Sequence, residues 1–116
     1  MQDVFKEKVC IITGGTSGIG FALAEQLLQC GAVVYAVGIP SEQVKQAQEK
    51  LNSYEQAHCR LVDVTKYEEV QRLVDEVVVR QGRLDYMFNN AGLGGTLPLE
   101  KVTLVSWKTV VDVTVW

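Results

Sequence analysis

Val9-Cys10-Ile11-Ile12-Thr13-Gly14-Gly15-Thr16-Ser17-Gly18-Ile19-Gly20 is the stretch on which the reading of this chain turns. Four apolar residues lead into TGGTSGIG (Thr13 to Gly20), and an amphipathic run begins at Ile19. That is strand, glycine turn, helix. A turn this tight needs residues without a Cβ, and Gly14 can take backbone angles closed to other residues. Gly18 lets a diphosphate approach the main chain, and Gly20 lets the helix pack close to the strand. The first turn of the helix offers unpaired N–H groups and a partial positive charge, both suited to phosphate. The spacing is G-x-x-x-G-x-G, not the commoner G-x-G-x-x-G. Gly14, Thr16, Ser17, Gly18, Ile19 and Gly20 are therefore the candidate contacts for a nucleotide diphosphate.

Outward from this turn, strand and helix alternate. Ile19, Ala22, Leu23 and Leu27 recur at helical spacing, and Gly31 stops that helix. Ala32 to Val37 is unbroken and apolar, as expected of a strand covered on both faces. Pro40 and Ser41 open a second helix, with Ser41 as its N-cap and Val44, Ala47 and Leu51 as its apolar face. Cys59 to Val62 is a third strand. Thr65-Lys66-Tyr67-Glu68 has the form of a capping box, which starts a third helix. Val70, Leu73, Val74 and Val77 form its buried stripe, and Gly82 ends it. Leu84 to Phe88 is a fourth strand. Gly92, Gly94 and Gly95 make a loop, and a last helix is expected from near Thr103 to the end of the chain. Units of this kind favour a parallel sheet with right-handed crossovers.

Composition bounds the function. With 116 residues, 47% of them hydrophobic, the chain is one domain at most, with one core. A net charge of −3 and scattered Lys and Arg argue against a nucleic-acid surface. No apolar run approaches the ~20 residues of a membrane span. The charged start, Met1 to Lys8, lacks the apolar region of a signal peptide. Cys10, Cys30 and Cys59 are odd in number and match no metal spacing, so they read as reduced thiols of a cytoplasmic protein. His58 has no ligand pattern around it and reads as an ordinary residue entering a strand. No metal site is expected.

Two further segments carry a resemblance. Leu61-Val62-Asp63-Val64-Thr65 is an apolar strand running into an acid, and Asp85-Tyr86-Met87-Phe88-Asn89-Asn90-Ala91-Gly92 is a strand running into Asn-Asn-Ala-Gly. In this order and at these separations, they and the glycine turn resemble the short-chain dehydrogenase/reductase family over essentially the whole chain. The resemblance implies an α/β fold, a Rossmann-like doubly wound parallel sheet of strand order 3-2-1-4, cut short after about four strands. Residues 1–116 would then be the NAD(P)-binding part of one domain, without its catalytic half. The implied chemistry is hydride transfer between a nicotinamide dinucleotide and a small carbonyl or alcohol substrate. The alternative is a non-catalytic chain that binds nucleotide or a partner protein. Family members usually pair with a second copy, so a homo-oligomer is also an expectation.

Taken alone, Asp63 reads as an exposed turn acid or secondary cap. The resemblance gives it, with Val64 beside it, a hydrogen bond to the adenine amino group. One of Asn89 and Asn90 is expected to tie strands together, and Asn90 to lie beside a ribose against Ala91 and Gly92. Cofactor choice is read at the end of the second strand, where an acid selects NAD. Gly38, Ile39 and Ser17 supply neither that acid nor the cations that accompany NADP in the family. Lys45 is one substitute cation. The missing acid inclines the reading slightly to NADP, with NAD left open. The family's active-site serine and Tyr-x-x-x-Lys pair have no counterpart here, since Tyr35, Tyr54, Tyr67 and Tyr86 do not stand four residues before a lysine. Trp107 matches a family tryptophan, and Thr114 stands where a proton-relay asparagine is usual. A helix threonine bonding its own backbone is the plainer account of Thr114.

Overall fold

Burial alternates along the first strand. Cys10 and Ile12 pack into one apolar layer and Val9 and Ile11 into another, all four almost inaccessible to solvent. Period-two alternation with both faces covered is the mark of an interior strand. A computed structural model describes residues 2–89 and 111–114. It places this strand, β1 (Val9–Thr13), inside a sheet with β2 (Val33–Gly38), β3 (Ala57–Leu61), β4 (Tyr86–Asn89) and β5 (Val111–Thr114). The order is β3-β2-β1-β4-β5. Every pairing is parallel, with Val9 opposite Val33, Ile11 opposite Met87, Tyr35 opposite His58 and Asn89 opposite Thr114.

The expected order of the first four strands is thus found. The helix expected from near Thr103 does not run to the end of the chain, because residues 111–114 form β5. The cause is legible in Val111-Asp112-Val113-Thr114. Three of its four residues are β-branched, which favours the pleated strand over the helix.

Helices α2 (Gly18–Gln29) and α3 (Ser41–Lys50) cover one face, and α4 (Tyr67–Gln81) covers the other. The α2/α3 layer joins Ala24, Leu27, Leu28, Val44, Ala47 and Leu51 to Cys10, Ile12, Val34 and Ala36. The α4 layer joins Val70, Leu73, Val74 and Val77, the expected stripe, to Val9, Ile11, Tyr35 and Val37. Each fully buried Val or Leu contributes about 1.5–3 kcal/mol over leaving it exposed. Helix α2 departs from the expected face. Its buried residues are Gly20, Ala24, Leu27 and Leu28, while Ile19 is 69% exposed and Ala22 also faces solvent. The glycine turn sets the phase of this helix, and it turns Ile19 outward.

Two caps also differ from expectation. Ser41 is the first helical residue of α3, and the carbonyl of Pro40 before it accepts from the N–H groups of Gln43 and Val44. Lys66, not Thr65, takes the cap position of α4. The stops behave as read: Gly31 and Gly82 have φ of 88° and 79°, the left-handed conformation that ends a helix cheaply only at glycine. Before β1, a short helix α1 (Gln2–Phe5) sets the Phe5 ring edge-on against Tyr86 at 5.2 Å. The start of β1 is fixed by Asp85, whose Oδ2 accepts from the Val9 N–H at 2.8 Å while its own N–H donates to the Val9 carbonyl.

Candidate functional site

The carboxyl end of β1 lies where the sheet changes direction, with β2 on one side and β4 on the other. A parallel sheet opens a crevice at such a switch, and the turn after β1 sits there. Gly14 and Gly18 take φ of 64° and 58°, which justifies glycine at both positions. A Cβ on Gly18 would meet nothing within 4 Å, so the turn is open above that residue. A phosphate could approach the main chain there, beside the first N–H groups of α2. Gly15 has the opposite surroundings. A Cβ on it would lie 2.8 Å from the Ile12 carbonyl and 3.0 Å from the Ala36 Cβ. Its N–H donates to the Val37 carbonyl, which draws the turn onto β2. The motif leaves position 15 unspecified, and only the Gly14-Gly15 doublet hinted at this constraint.

A cleft of about 190 Å³ extends from the turn across the ends of β2 and β3. Gly14, Thr16 and Ser17 line it from the turn, Gly38 and Ile39 from β2, Gln43 from α3, and Val62, Asp63, Val64 and Thr65 from the segment after β3. The structure therefore brings six of the expected residues together: Gly14, Thr16, Ser17, Gly38, Asp63 and Val64. Gly18 and Ile19 stand exposed at the start of α2, and Gly20 is buried in it. Lys45 is not among the lining residues, whereas Gln43 is. Helical spacing on α3 turns residue 43 toward the cleft. The cleft thus offers Asp63 as its one formally charged side chain among the described lining residues.

Asp63 is held in place by its neighbours. Its Oδ1 accepts from the Thr65 hydroxyl at 2.6 Å and from the Thr65 N–H at 3.0 Å, and its own N–H donates to Glu69 Oε1 at 3.0 Å. The Thr65 hydroxyl and amide hold the Asp63 carboxyl below its ordinary range. The capping box is thus replaced: Thr65 bonds back to Asp63, and Glu69, not Glu68, reaches the chain before the helix.

At the end of β4, Asn89 lies in register between Thr13 and Thr114, and the Thr13 hydroxyl donates to the Phe88 carbonyl at 3.3 Å. Asn90, Ala91, Gly92, the loop 93–98 and Trp107 lie outside the described residues. Thr114 belongs to β5, so the helical account of it does not hold.

A second hollow, of about 270 Å³, runs between β3 and α4. Its lining includes Arg60 and Glu76, which pair with each other at 2.9 Å. Nearby, His58 stacks on Tyr35 at 4.5 Å, and burial followed by Arg60 and Arg80 lowers its pKa. These groups pack the outer edge of the sheet. Among the described residues no three His, Cys, Asp or Glu side chains gather as metal donors, and no helix is long and apolar enough to cross a membrane.

Comparison with known proteins bears directly on this arrangement. The family model described as short chain dehydrogenase matches residues 8–116. A probable 2,4-dienoyl-CoA reductase of Bacillus subtilis is 33% identical over 109 residues, covering 93% of this chain and 43% of that protein. The chain spans less than half the length of the curated relatives it matches. Among solved structures, a 3-ketoacyl-(acyl-carrier-protein) reductase from Brucella melitensis complexed with NADH superposes with a TM-score of 0.69 at 28% identity. That match covers 77% of this chain and 36% of the other. The Pseudomonas aeruginosa RhlG/NADP complex gives 0.68 at 27% identity, over 90% of this chain and 41% of the other.

Proposed function

This chain belongs to the short chain dehydrogenase family, and from that premise we propose that it is the dinucleotide-binding part of an NAD(P)-dependent oxidoreductase acting on a small carbonyl or alcohol substrate. When bound, the nicotinamide supplies the hydride chemistry. The chain's own residues position it. The turn from Gly14 to Gly20, with α2 behind it, holds the pyrophosphate. Asp63 accepts from the adenine amino group, and Asn90, Ala91 and Gly92 flank a ribose. The cofactor is a nicotinamide dinucleotide, and the absence of an acid at Gly38 admits NADP at least as readily as NAD. None of the four tyrosines stands four residues before a lysine, so the part played by the glycine turn, Asp63 and residues 90–92 is to bind and orient the cofactor. The free, buried thiols of Cys10 and Cys59 support a reducing, cytoplasmic setting. Pairing with a second copy belongs to the same reading.

The observation that carries the proposal is the open, left-handed Gly18 at the switch in strand order. Fluorescence titration with NADH and NADPH tests it. Asparagine tolerates the left-handed conformation better than other side chains, so Gly18→Asn should preserve the fold while filling the phosphate space. We expect saturable binding by the parent and at least a tenfold loss in Gly18→Asn. Unchanged affinity in a folded variant would move the site elsewhere. Turnover is not expected of these residues by themselves, so binding, not activity, is the readout.

A further inference from the structure

Gly38 is where the cofactor's adenosine ribose is read, and its neighbour across the cleft is a hydroxyl. A Cβ on Gly38 would lie 2.5 Å from Thr16 Oγ1, with the Thr16 Cβ and Cγ2 at 3.6 Å. That is overpacking, which a filled site relieves only by displacing one partner. The φ of Gly38 lies outside the left-handed region, so its backbone does not call for glycine. The Thr16 side chain does. Thr16 is itself only 7% exposed, and both residues line the cleft. The β2 end of the cleft otherwise offers Ser17, Ile39 and the Gln43 amide. A ribose diol finds no carboxylate there, and a 2′-phosphate finds no cation.

The geometry points to Thr16 and Gly38 acting as one specificity-determining pair, in which the Thr16 hydroxyl takes the space a side chain at position 38 would need and itself contacts the adenosine ribose. This rests on the dinucleotide reading above. A hydroxyl both donates and accepts, so it serves a ribose hydroxyl or a phosphate oxygen alike. NADH and NADPH should then bind within about tenfold of each other, a gap of no more than ~1.4 kcal/mol. An acid introduced at position 38 alone must first displace the Thr16 hydroxyl, and with it the contact that hydroxyl makes.

A double-mutant cycle tests the pair. Parent, Gly38→Asp, Thr16→Ala and the combined variant are titrated with NADH and NADPH, and thermal melting checks that each is folded. We expect Gly38→Asp to weaken NADH at least tenfold. Adding Thr16→Ala should restore NADH to near the parent affinity while NADPH stays at least tenfold weaker. If Gly38→Asp unfolds the protein, Gly38→Ala adds only the Cβ and should show the same loss, which Thr16→Ala relieves only in part because it removes the ribose contact along with the crowding. Parental NADH affinity in Gly38→Asp, or single effects that simply add, overturns the pair while leaving the dinucleotide site standing. A parent that binds neither cofactor overturns the dinucleotide reading and the pair with it.

Discussion

Thr65 shows how much one hydroxyl can do for a neighbouring carboxylate. Its two hydrogen bonds favour the charged form of Asp63, and so hold the Asp63 pKa below its ordinary value. The sign follows from linkage. A depressed carboxyl contributes stability that is present above its unfolded pKa and is lost as pH falls through its folded one. Acid should therefore disrupt this turn only below the ordinary carboxylate range. In Thr65→Val, which keeps the N–H bond and deletes the hydroxyl, the Asp63 pKa should rise toward the ordinary value. An NMR titration of the Asp63 carboxyl checks this, and an unmoved midpoint would mean that the hydroxyl is not the main cause. Legibility at this scale is uneven. Asp63 can be read, because an acid after an apolar strand and before a helix is a local signal. Glu69 cannot, because Glu68 completes the capping-box spelling and only the three-dimensional turn distinguishes the two. The Gly15 contact with Ala36 and the Thr16 contact with Gly38 join separate segments, and spacing within either one is silent about them.

Elements are legible where period and stop signals agree. The stripe Val70, Leu73, Val74 and Val77 and the terminator Gly82 define α4 nearly to the residue. In residues 111–114 the β-branched run Val111, Val113 and Thr114 is a local strand signal, but that it pairs with the open side of β4 is not written in any local pattern. The junction of β1 and β4 gives a prediction at this scale. Asp85 is 14% exposed in its side chain, accepts from the Val9 N–H at the first rung, and pairs with Arg83. Asp85→Ala leaves that N–H with no partner in a largely buried position, which costs about 1–3 kcal/mol. Asp85→Asn keeps an acceptor oxygen and should lose less. Urea denaturation of both variants measures the difference. Equal losses would assign the effect to the Arg83 ion pair, because the two variants share only the loss of charge.

Across the whole molecule, the sheet order came from family resemblance, since strand and helix periodicities alone do not rank neighbours. The unbroken apolar run of β2 foretold a sheet covered on both faces, and the structure sorts its residues between the two layers. Their integrity can be read through sulfur. Cys10 and Cys59 lie buried in the α2/α3 layer, and burial, aided by Asp85, pushes the Cys10 thiol up to about 12. Cys30, at the end of α2, is half-buried. A thiol reagent at neutral pH should label Cys30 quickly and the other two only as fast as the layer opens. Rapid labelling of all three in the native protein would show that this layer opens locally. The strand order has a further consequence, for the ribosome. The central strand β1 receives β2 early, but its other neighbour comes late: Val9 bonds to Asp85, 76 positions further along the chain. At 5–20 residues per second, roughly 4–15 s pass with one edge of a largely apolar strand unpaired. An unpaired apolar edge invites other chains, so nascent polypeptide is the form in which this protein most needs a chaperone.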